Sequence, residues 1–514
     1  MRRAALAAPL LLARLPGVAR ASAAIDVRER GARGDGRSLD TRAIQAAIDE
    51  GARSGREVRC PAGDYLSGTL RLRDGTTLRL DAGATLIASP RDEDFDRPEA
   101  LGYETFADEE TSIFDFALLQ GRGVKDIRIV GGGRIDGNRK AREGPKPIAL
   151  KRCAAVVIRD ITIVNAGNYN ISLLGCDGVD VEGVTILNGY ADGIDPDCCR
   201  NVRIAGCRIE SRDDAVCLKT SLALGVRRAT ENVRIVGCRL ATFHNAIKLG
   251  TESSGDFRNI AVSDCAIAGW RHVWKGDLSS GLSVELVDGG SLDRLSAWNI
   301  QMAGVRAPIF VRLARRGRGQ ATPRPGTLQD VAIRDVVATD ALVASTITGV
   351  PGHPIERIAL RRIKVHHRGG REVDRVSLLV PEMESRYPDA TMFDDLPAYG
   401  LYCRHVAGLA MDDMELTIDR GDARSAMVLD DVADVRLRGL EAVAPAADGP
   451  LVWLHAVRDA QLRGLAPRGG GRQTIARVSG AATDRMLLVP SAAVHRVVVD
   501  GDVRATALEV AGPS

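Results

Sequence analysis

The sequence predicts an all-β fold, a right-handed parallel β-helix with a short N-terminal capping helix. Two observations support this prediction: a short apolar phrase recurs along most of the chain, and the composition is rich in glycine (54 residues) and poor in aromatic residues (4%). Small residues at turns and β-branched residues in strands suit stacked coils better than a helical bundle. A solenoid also explains how 514 residues form one unit, because it grows along a single axis.

The recurring phrase is an apolar residue, any residue, a second apolar residue, two or three small or polar residues, and a further apolar residue. Its copies lie at or around Val156, Val179, Val202, Val233, Ile260, Leu295, Val331, Ile358, Leu409, Val435 and Gln461. The first two steps are 23 residues each, and the next three are 31, 27 and 35. These gaps hold no ten-residue helical stretch, which a β-α-β unit needs. A β-propeller, the main competitor, needs four strands per blade and a longer, more even period.

The N-terminus carries the features of an export signal, which we assign to residues 1–23. Arg2 and Arg3 precede an apolar run, and Ala-Ser-Ala precedes Ala24. The run is too short to cross a membrane, so a secreted or periplasmic protein is expected, by the general or the twin-arginine route. After it, the segment from Asp40 to Ile48 reads as an amphipathic helix capped by Asp40. Such a helix would cover the open strand edges of the first coil.

The β-helix is predicted to occupy residues 24–445, and residues 446–514 are predicted to hold degraded repeats or a small β tail. Two segments depart from the repeat. Residues Arg91 to Ser112 are acidic and irregular, and residues Val380 to Tyr402 interrupt the pattern. Long loops of this kind usually edge a binding cleft, so both are expected near the functional site.

Cysteine and charge patterns exclude several classes of function. Cys207, Cys238 and Cys265 hold the same place in three similar phrases, which predicts stacked and mostly free, buried thiols among the ten cysteines. No CxxC pair suggests zinc, and no metal or cofactor is expected. The net charge is only +3, and the arginines are scattered, so neither a nucleic-acid partner nor a membrane partner is expected. The protein is expected to be a monomer.

Acidic and polar residues concentrate in three neighbouring phrases: YADGIDPD, SRDDAVCLK and FHNAIKLGTES. Counting coil steps of 22 and 31 residues places Asp192, Asp214 and Asn245 in one row, roughly 4.8 Å apart per coil. The same count places Asp195, Cys217 and Lys248 in a parallel row. Asp213 lies at the edge of the first row.

Three carboxylates so close together cannot all ionise without cost. At least one pKa should rise and leave a proton available near neutral pH. A protonated acid facing ionised carboxylates is the equipment of glycoside hydrolysis. We therefore predict that Asp192, Asp213 and Asp214 are catalytic. For Asp195 and Asp197 the favoured interpretation is different, namely turn aspartates that cap backbone amides.

The phrase ADGIDPD, with RDDAVCLK one coil later, resembles the polygalacturonase family, glycoside hydrolase family 28, whose hallmark is Asn-Thr-Asp-Gly followed by Asp-Asp. The phrases GARGDGRSLDTRAIQAAID, CPAGDYLSGTLRL and GATLIAS also resemble that family's N-terminal coil, and the similarity runs from about Ile25 to past His405. The resemblance implies that Asp213 protonates the leaving oxygen. It implies that Asp192 and Asp214 hold and deprotonate the attacking water, with inversion at the anomeric carbon of a pectic or related plant cell-wall polysaccharide.

The chain departs from the family's pattern where the substrate is gripped. Asn245 stands at the place of the family's third-motif histidine, and His244 lies one residue earlier. Ser283 and Glu285 stand where the family has the Arg-Ile-Lys that grips a galacturonate carboxylate, and a glutamate cannot pair with an acidic sugar. A substrate other than plain homogalacturonan is therefore expected. The predicted substrate-binding residues are His244, Asn245, Lys248, Glu252 and Glu285.

Two other functions stay open at this point. A polysaccharide lyase on the same fold needs a calcium cage of carboxylates and a Lys or Arg base, and Lys219, Lys248 and the DPD turn are compatible with one. A non-catalytic carbohydrate-binding β-helix is the other alternative. The adjacent pair Asp213 and Asp214 argues against it.

Overall fold

A computed structural model describes residues 24–269, 278–371, 377–446, 448–469, 472–492 and 494–512. The predicted signal peptide, residues 1–23, lies outside these ranges. The chain folds as the predicted right-handed parallel β-helix, in which each strand pairs in parallel with the strands one coil before and one coil after it. No helix within the described residues is long and apolar enough to span a membrane.

The coils build three sheets, named A, B and C here. Strands of sheet A alone are Leu70–Arg71, Ala117–Arg122, Lys146–Lys151, Ile171–Leu174, Ile194–Asp197, Val216–Thr220, Asn245–Ser253, Leu278–Leu286, Val305–Leu313, Ser345–Thr348, Val452–His455, Thr474–Ser479 and Arg496–Val499. Strands of sheet B alone are Ile25–Asp26, Val58–Cys60, Thr77–Leu80, Lys125–Val130, Ala154–Arg159, Asp177–Glu182, Arg200–Ala205, Thr230–Val236, Asp484–Pro490 and Leu508–Val510.

Strands of sheet C alone are Asp35–Leu39, Gly63–Ser67, Ala84–Ala88, Arg134–Asp136, Thr162–Val164, Thr185–Gly189, Arg208–Ser211 and Arg239–Thr242. In later coils longer strands run through sheets B and C without a break, and these are Phe257–Gly269, Leu292–Ala303, Leu328–Ala341, Ile355–Gly369 and Arg458–Arg468. Ala398–Arg420 and Ser425–Val443 run through all three sheets. The inward side chains of the sheets form one continuous apolar core along the axis.

The predicted N-terminal helix exists and is longer than expected. It spans Thr41–Ser54 and buries Ile44 and Ile48 against the first coils. Gly51 lets it approach closely, because a Cβ there would lie 2.6 Å from a methyl group of Val58. The predicted cap is wrong in detail. The carboxylate of Asp40 does not bind the helix amides but accepts the backbone N–H groups at positions 33 and 34, at 2.8 and 2.9 Å.

The apolar repeat is in register in sheet B, with Val156, Val179, Val202 and Val233 directly paired. The last predicted copy is wrong by one residue, since Val435 pairs with Ala460 and not with Gln461. A shift of one residue moves a side chain to the other face of a strand. Ala460 is buried in the core, whereas Gln461 is exposed. Because alanine is small, the pattern of apolar residues did not reveal that position 460 is the one in register.

Two long segments interrupt the coils, and they are named the first and second cover segments here. The first, residues 89–116, is irregular except for the short helices Asp92–Asp94 and Glu109–Ser112. The second, residues 377–397, is irregular throughout, and regular structure resumes at Ala398, four residues before the predicted end at Tyr402. Val27–Arg30 forms a further short helix. The expectation for the cysteines is confirmed, because all ten are free and buried.

Candidate active site

The predicted row of polar residues lies at the edge of sheet A and is joined by hydrogen bonds. The backbone N–H of Asp214 donates to Asp192 Oδ1 at 3.1 Å. Asn245 donates its backbone N–H and its Nδ2 to Asp214 Oδ1, at 2.9 and 2.8 Å. The row continues one coil further, where Ser280 Oγ donates to Asn245 Oδ1 at 2.6 Å. The coil steps counted in the sequence thus place these residues correctly.

Lys248 lies in the neighbouring row, paired with Cys217 before it and Ser283 after it. Its Nζ lies 3.0 Å from Asp214 Oδ2 and 3.7 Å from Glu285 Oε2. Burial disfavours the ammonium, but these two carboxylates outweigh burial and hold the pKa of Lys248 well above its usual value. Burial would likewise raise the pKa of Asp214, yet Lys248 and Asn245 outweigh it and lower that pKa. Asp214 is therefore an ionised carboxylate.

A second buried lysine faces the other end of the row. Lys219 Nζ lies 3.2 Å from Asp192 Oδ2, 3.9 Å from Asp195 Oδ1 and 3.0 Å from the hydroxyl of Tyr169. Burial raises the pKa of Asp195 to about 7, although Lys219 opposes the rise. Burial, together with the charges of Asp195 and Asp213, raises the pKa of Asp192 well above its usual value. The pKa values of the adjacent Asp192 and Asp214 are therefore displaced in opposite directions.

The two remaining aspartates of the first phrase differ from each other. Asp197 caps a turn as expected, because its carboxylate accepts the backbone N–H of Ser221 at 2.9 Å. Asp195 does not, since no backbone amide in the described ranges donates to it and it faces Lys219 instead. The turn-capping interpretation of Asp195 is therefore wrong. Asp195 lies in the buried strand Ile194–Asp197. The charged neighbour of its side chain is Lys219 from the next coil rather than a backbone amide of a turn.

Asp213 is the accessible carboxylate of the adjacent pair, with 21% of its side chain exposed, whereas Asp214 is almost fully buried. Arg142 forms an ion pair with Asp213 Oδ2 and a second one with Glu110, at 2.6 Å. Arg142 comes from the loop between sheets C and A, and Glu110 from the first cover segment. The sequence pattern contains no signal for Arg142, because it lies in a loop outside the repeat.

The predicted substrate-binding residues fall into different surroundings. Asn245 belongs to the row, and His244 is exposed one residue before it. Glu252 is buried, and Lys219 and a carboxyl neighbour outweigh burial to lower its pKa to about 2. Glu285 is only 1% exposed and accepts a hydrogen bond from Ser283 Oγ at 2.5 Å. Burial raises the pKa of Glu285 to about 7 despite Lys248. Glu285 thus faces Lys248 rather than an open ligand surface.

Among the residues that the structure describes, one group of side chains is close enough to hold a metal ion, since ligand atoms of Asp192, Asp214 and Cys217 lie within 4.8 Å of one another. The ammonium groups of Lys219 and Lys248 already face the two carboxylates. Burial raises the pKa of the Cys217 thiol well above its usual value, which keeps the sulfur protonated. Because two ammonium groups already neutralise the two carboxylates, this set suits ion pairs better than a metal ion.

Two buried, hydrogen-bonded carboxylates with the accessible Asp213 beside them, on a parallel β-helix, suit a glycoside hydrolase, which works with a pair of carboxyl groups. Sequence comparison gives the family. The model of glycosyl hydrolases family 28 matches residues 53–377, and the chain belongs to that family.

Known relatives agree with this assignment. A probable polygalacturonase of Vitis vinifera is 26% identical over 368 residues, which cover 65% of this chain and 72% of the relative. A polygalacturonase of Ralstonia nicotianae is 27% identical over 336 residues, which cover 52% of this chain and 61% of the relative. Among solved structures, a hyperthermoactive exopolygalacturonase from Thermotoga maritima superposes with a TM-score of 0.58 at 18% identity, covering 69% of this chain and 89% of that one. This last likeness shows the shared fold.

Proposed function

We propose that this glycoside hydrolase cleaves O-glycosidic bonds of a pectic or related plant cell-wall polysaccharide, with inversion at the anomeric carbon. The observation that carries the proposal is the hydrogen-bonded row from Asp192 through Asp214 to Asn245, with Asp213 beside it. The polygalacturonase names of the two relatives support a pectic substrate class.

In the proposed reaction Asp213 gives its proton to the glycosidic oxygen as the bond from that oxygen to the anomeric carbon breaks. Water attacks the same carbon from the opposite face and passes a proton to Asp214. Asp214 suits the base because Lys248 and Asn245 keep it ionised. Asp192 holds the water. The ion pair between Arg142 and Asp213 must open as the substrate arrives, so that Asp213 can take up the proton that it passes to the glycosidic oxygen.

The charges around the row favour a neutral sugar at the cleavage site. A galacturonate carboxylate in a shielded subsite needs a free cation. Five cations around the row already have carboxylate partners: Arg142, Lys219, Lys248, Arg316 and Arg318. We therefore propose that plain homogalacturonan is a poor substrate and that a branched or neutral-sugar-bearing pectic fraction is a better one.

The alternative of a polysaccharide lyase is disfavoured by the same ion pairs. A lyase base must lose its proton, whereas the carboxylates beside Lys219 and Lys248 hold the pKa of each lysine well above its usual value. A binding protein without activity is disfavoured by the adjacent pair Asp213 and Asp214 and by the raised pKa of Asp192, because perturbed carboxyl pKa values cluster at catalytic sites.

The proposal is tested by product analysis on a panel of pectic fractions, with NMR of the anomer released first. Inverted anomers and new reducing ends are expected. Retained anomers would contradict the mechanism, and unsaturated products that absorb in the ultraviolet and require calcium would establish the lyase instead.

We also propose that the protein acts outside the cytoplasm as a monomer. The support for the location is the predicted signal peptide at residues 1–23. Mass spectrometry of the exported protein should show a chain that begins at Ala24, and light scattering should show the mass of one chain. A full-length cytoplasmic product would contradict the proposed location.

A further inference from the structure

The outward face of sheet A is covered on the N-terminal side of the acids. Phe114, from the first cover segment, packs on the outward side chains of Ala149 and Leu174. This apolar cluster is closed to solvent and comprises Phe114, Ala117, Ala149, Leu174, Cys198, Ala223 and Leu224. The hydroxyl of Tyr103, in the same segment, donates to the carbonyl of Ala223 at 3.0 Å. A glycan that lay along the axis would therefore find no accessible surface of sheet A on these coils.

The C-terminal side of the acids is covered in the same way. The second cover segment packs on the outward side chains of later coils, and the cluster comprises Ala307, Phe310, Ala344, Val380, Ala390, Phe393, Leu396, Ala398, Tyr402, Val428 and Trp453. Phe310 and Tyr402 point outward from sheet A and are nevertheless fully buried. Near the acids the segment is anchored by Tyr387, whose hydroxyl lies 3.3 Å from Lys248 Nζ, and by Asp389, 3.1 Å from Ser279 Oγ.

One lateral wall of the site is closed as well. Asp108 of the first cover segment forms an ion pair at 2.9 Å with Arg318, which lies in the loop after Val305–Leu313. Arg316 of that loop binds Asp288 and the carbonyl of Thr251, which ties the loop back towards the acids.

The stretch of sheet A between the two apolar clusters spans four coils, from Asp192 to Ser283, and the polar residues of the row on it are themselves largely buried. Three strand spacings are roughly 14 Å, so the accessible side chains lie within a short length along the axis. Its accessible groups are the edge of Asp213 and the rings of His244 and Tyr387, and Tyr387 is 57% exposed. Cleavage inside a polymer requires the chain to continue on both sides of the acids, and both continuations meet buried apolar side chains.

We propose that this enzyme attacks the ends of glycan chains, and short oligosaccharides, and does not cut within polymers. The proposal rests on the proposed function and adds the form of the substrate. The two cover segments, rather than the acids, determine whether the enzyme attacks chain ends or cuts within a polymer.

The test compares two measurements on the full-length exported protein acting on branched rhamnogalacturonan. Reducing ends and solution viscosity are followed together, and products are sized by mass spectrometry from the first time point. We expect reducing ends to rise while viscosity stays nearly constant, with one product size throughout. A fast fall in viscosity with a ladder of product sizes overturns the proposal. If no fraction of the pectic panel yields reducing ends, the proposed function itself fails, and the chain-end proposal falls with it.

A variant shows whether the second cover segment is the barrier. Phe393→Ala combined with Leu396→Ala removes two of its apolar anchors, and products of several sizes should then appear beside the single one. Leu465→Ala combined with Leu488→Ala makes similar core cavities in distant coils and should keep the single size. If both variants keep it while circular dichroism shows the native fold, the assignment of the barrier is wrong. Should the first variant fail to fold, the product pattern of the unmodified enzyme still decides.

Discussion

The ammonium of Lys248 lies 3.0 Å from the carboxylate of Asp214, and both side chains are buried. The pair sets the charge state of the proposed base. Asn245 completes it, because its backbone and side-chain N–H groups occupy the other oxygen of Asp214. A lysine expected from the sequence to bind substrate thus lies in the structure against a carboxylate that we propose to be catalytic.

Replacing Lys248 by Met should shift the acidic limb of the kcat/KM profile to higher pH. Lys248 favours the ionised form of Asp214 and lowers its pKa. Without the ammonium that pKa rises, so the base becomes protonated, and activity is lost, at a higher pH than in the unmodified enzyme. The pH profile of Lys364→Met is the control, since Lys364 is exposed and paired with Glu415 on another sheet. An acidic limb that stays in place would show that Lys248 does not control the base.

Replacing Asp213 by Asn should lower kcat by about a thousandfold or more, because the acid proposed to protonate the leaving oxygen is lost. Asp192→Asn and Asp214→Asn should also be severe, with substrate binding largely kept. Asp126→Asn is a matched control at an exposed position with positive φ, where asparagine is well tolerated. Steady-state kinetics on the best pectic fraction measures all four variants. Near-normal turnover of the Asp213 variant would rule out its role as the acid.

Activity on plain polygalacturonate should be weak compared with activity on a branched or neutral-sugar-bearing fraction such as rhamnogalacturonan. The reason is that Lys248 is already occupied by two carboxylates, those of Asp214 and Glu285, and is not available to an acidic sugar. This prediction is tested by comparing the rates of reducing-end release on equal masses of the two fractions. If homogalacturonan is the best substrate, the specificity argument is wrong, even though the fold and the acids would stand.

Replacing Asp288 by Ala should lower the free energy of unfolding by about 3 kcal/mol, because it leaves a largely buried guanidinium without its carboxylate. Asp288 is fully buried and pairs with Arg316, whose side chain is 11% exposed. Glu441→Ala removes an exposed pair with Arg468 and should cost less than about 1 kcal/mol. Thermal unfolding followed by circular dichroism compares the two variants. Equal midpoints would show that the buried pair does not stabilise this loop.

The sequence alone determined the fold and most of the row of acids. In a solenoid each coil stacks on its neighbour at a constant spacing, so counting residues between copies of a phrase places side chains in space. Asp192, Asp214 and Asn245 are hydrogen-bonded to one another because of that constraint. The count failed only where the repeat was weak, as at Ala460.

Only the tertiary structure decided what surrounds the acids. Arg142 pairs with Asp213, 71 positions further along the chain, and Lys219 pairs with Asp192, 27 positions before it. The pattern of the repeat predicts neither ion pair. The burial of Glu285 follows from loops that fold back over sheet A. The two cover segments carry no periodic pattern, since their positions depend on long-range contacts of single side chains. The chemistry of the site could therefore be inferred from spacing, whereas its access, and with it the form of the substrate, is set by how distant loops pack together.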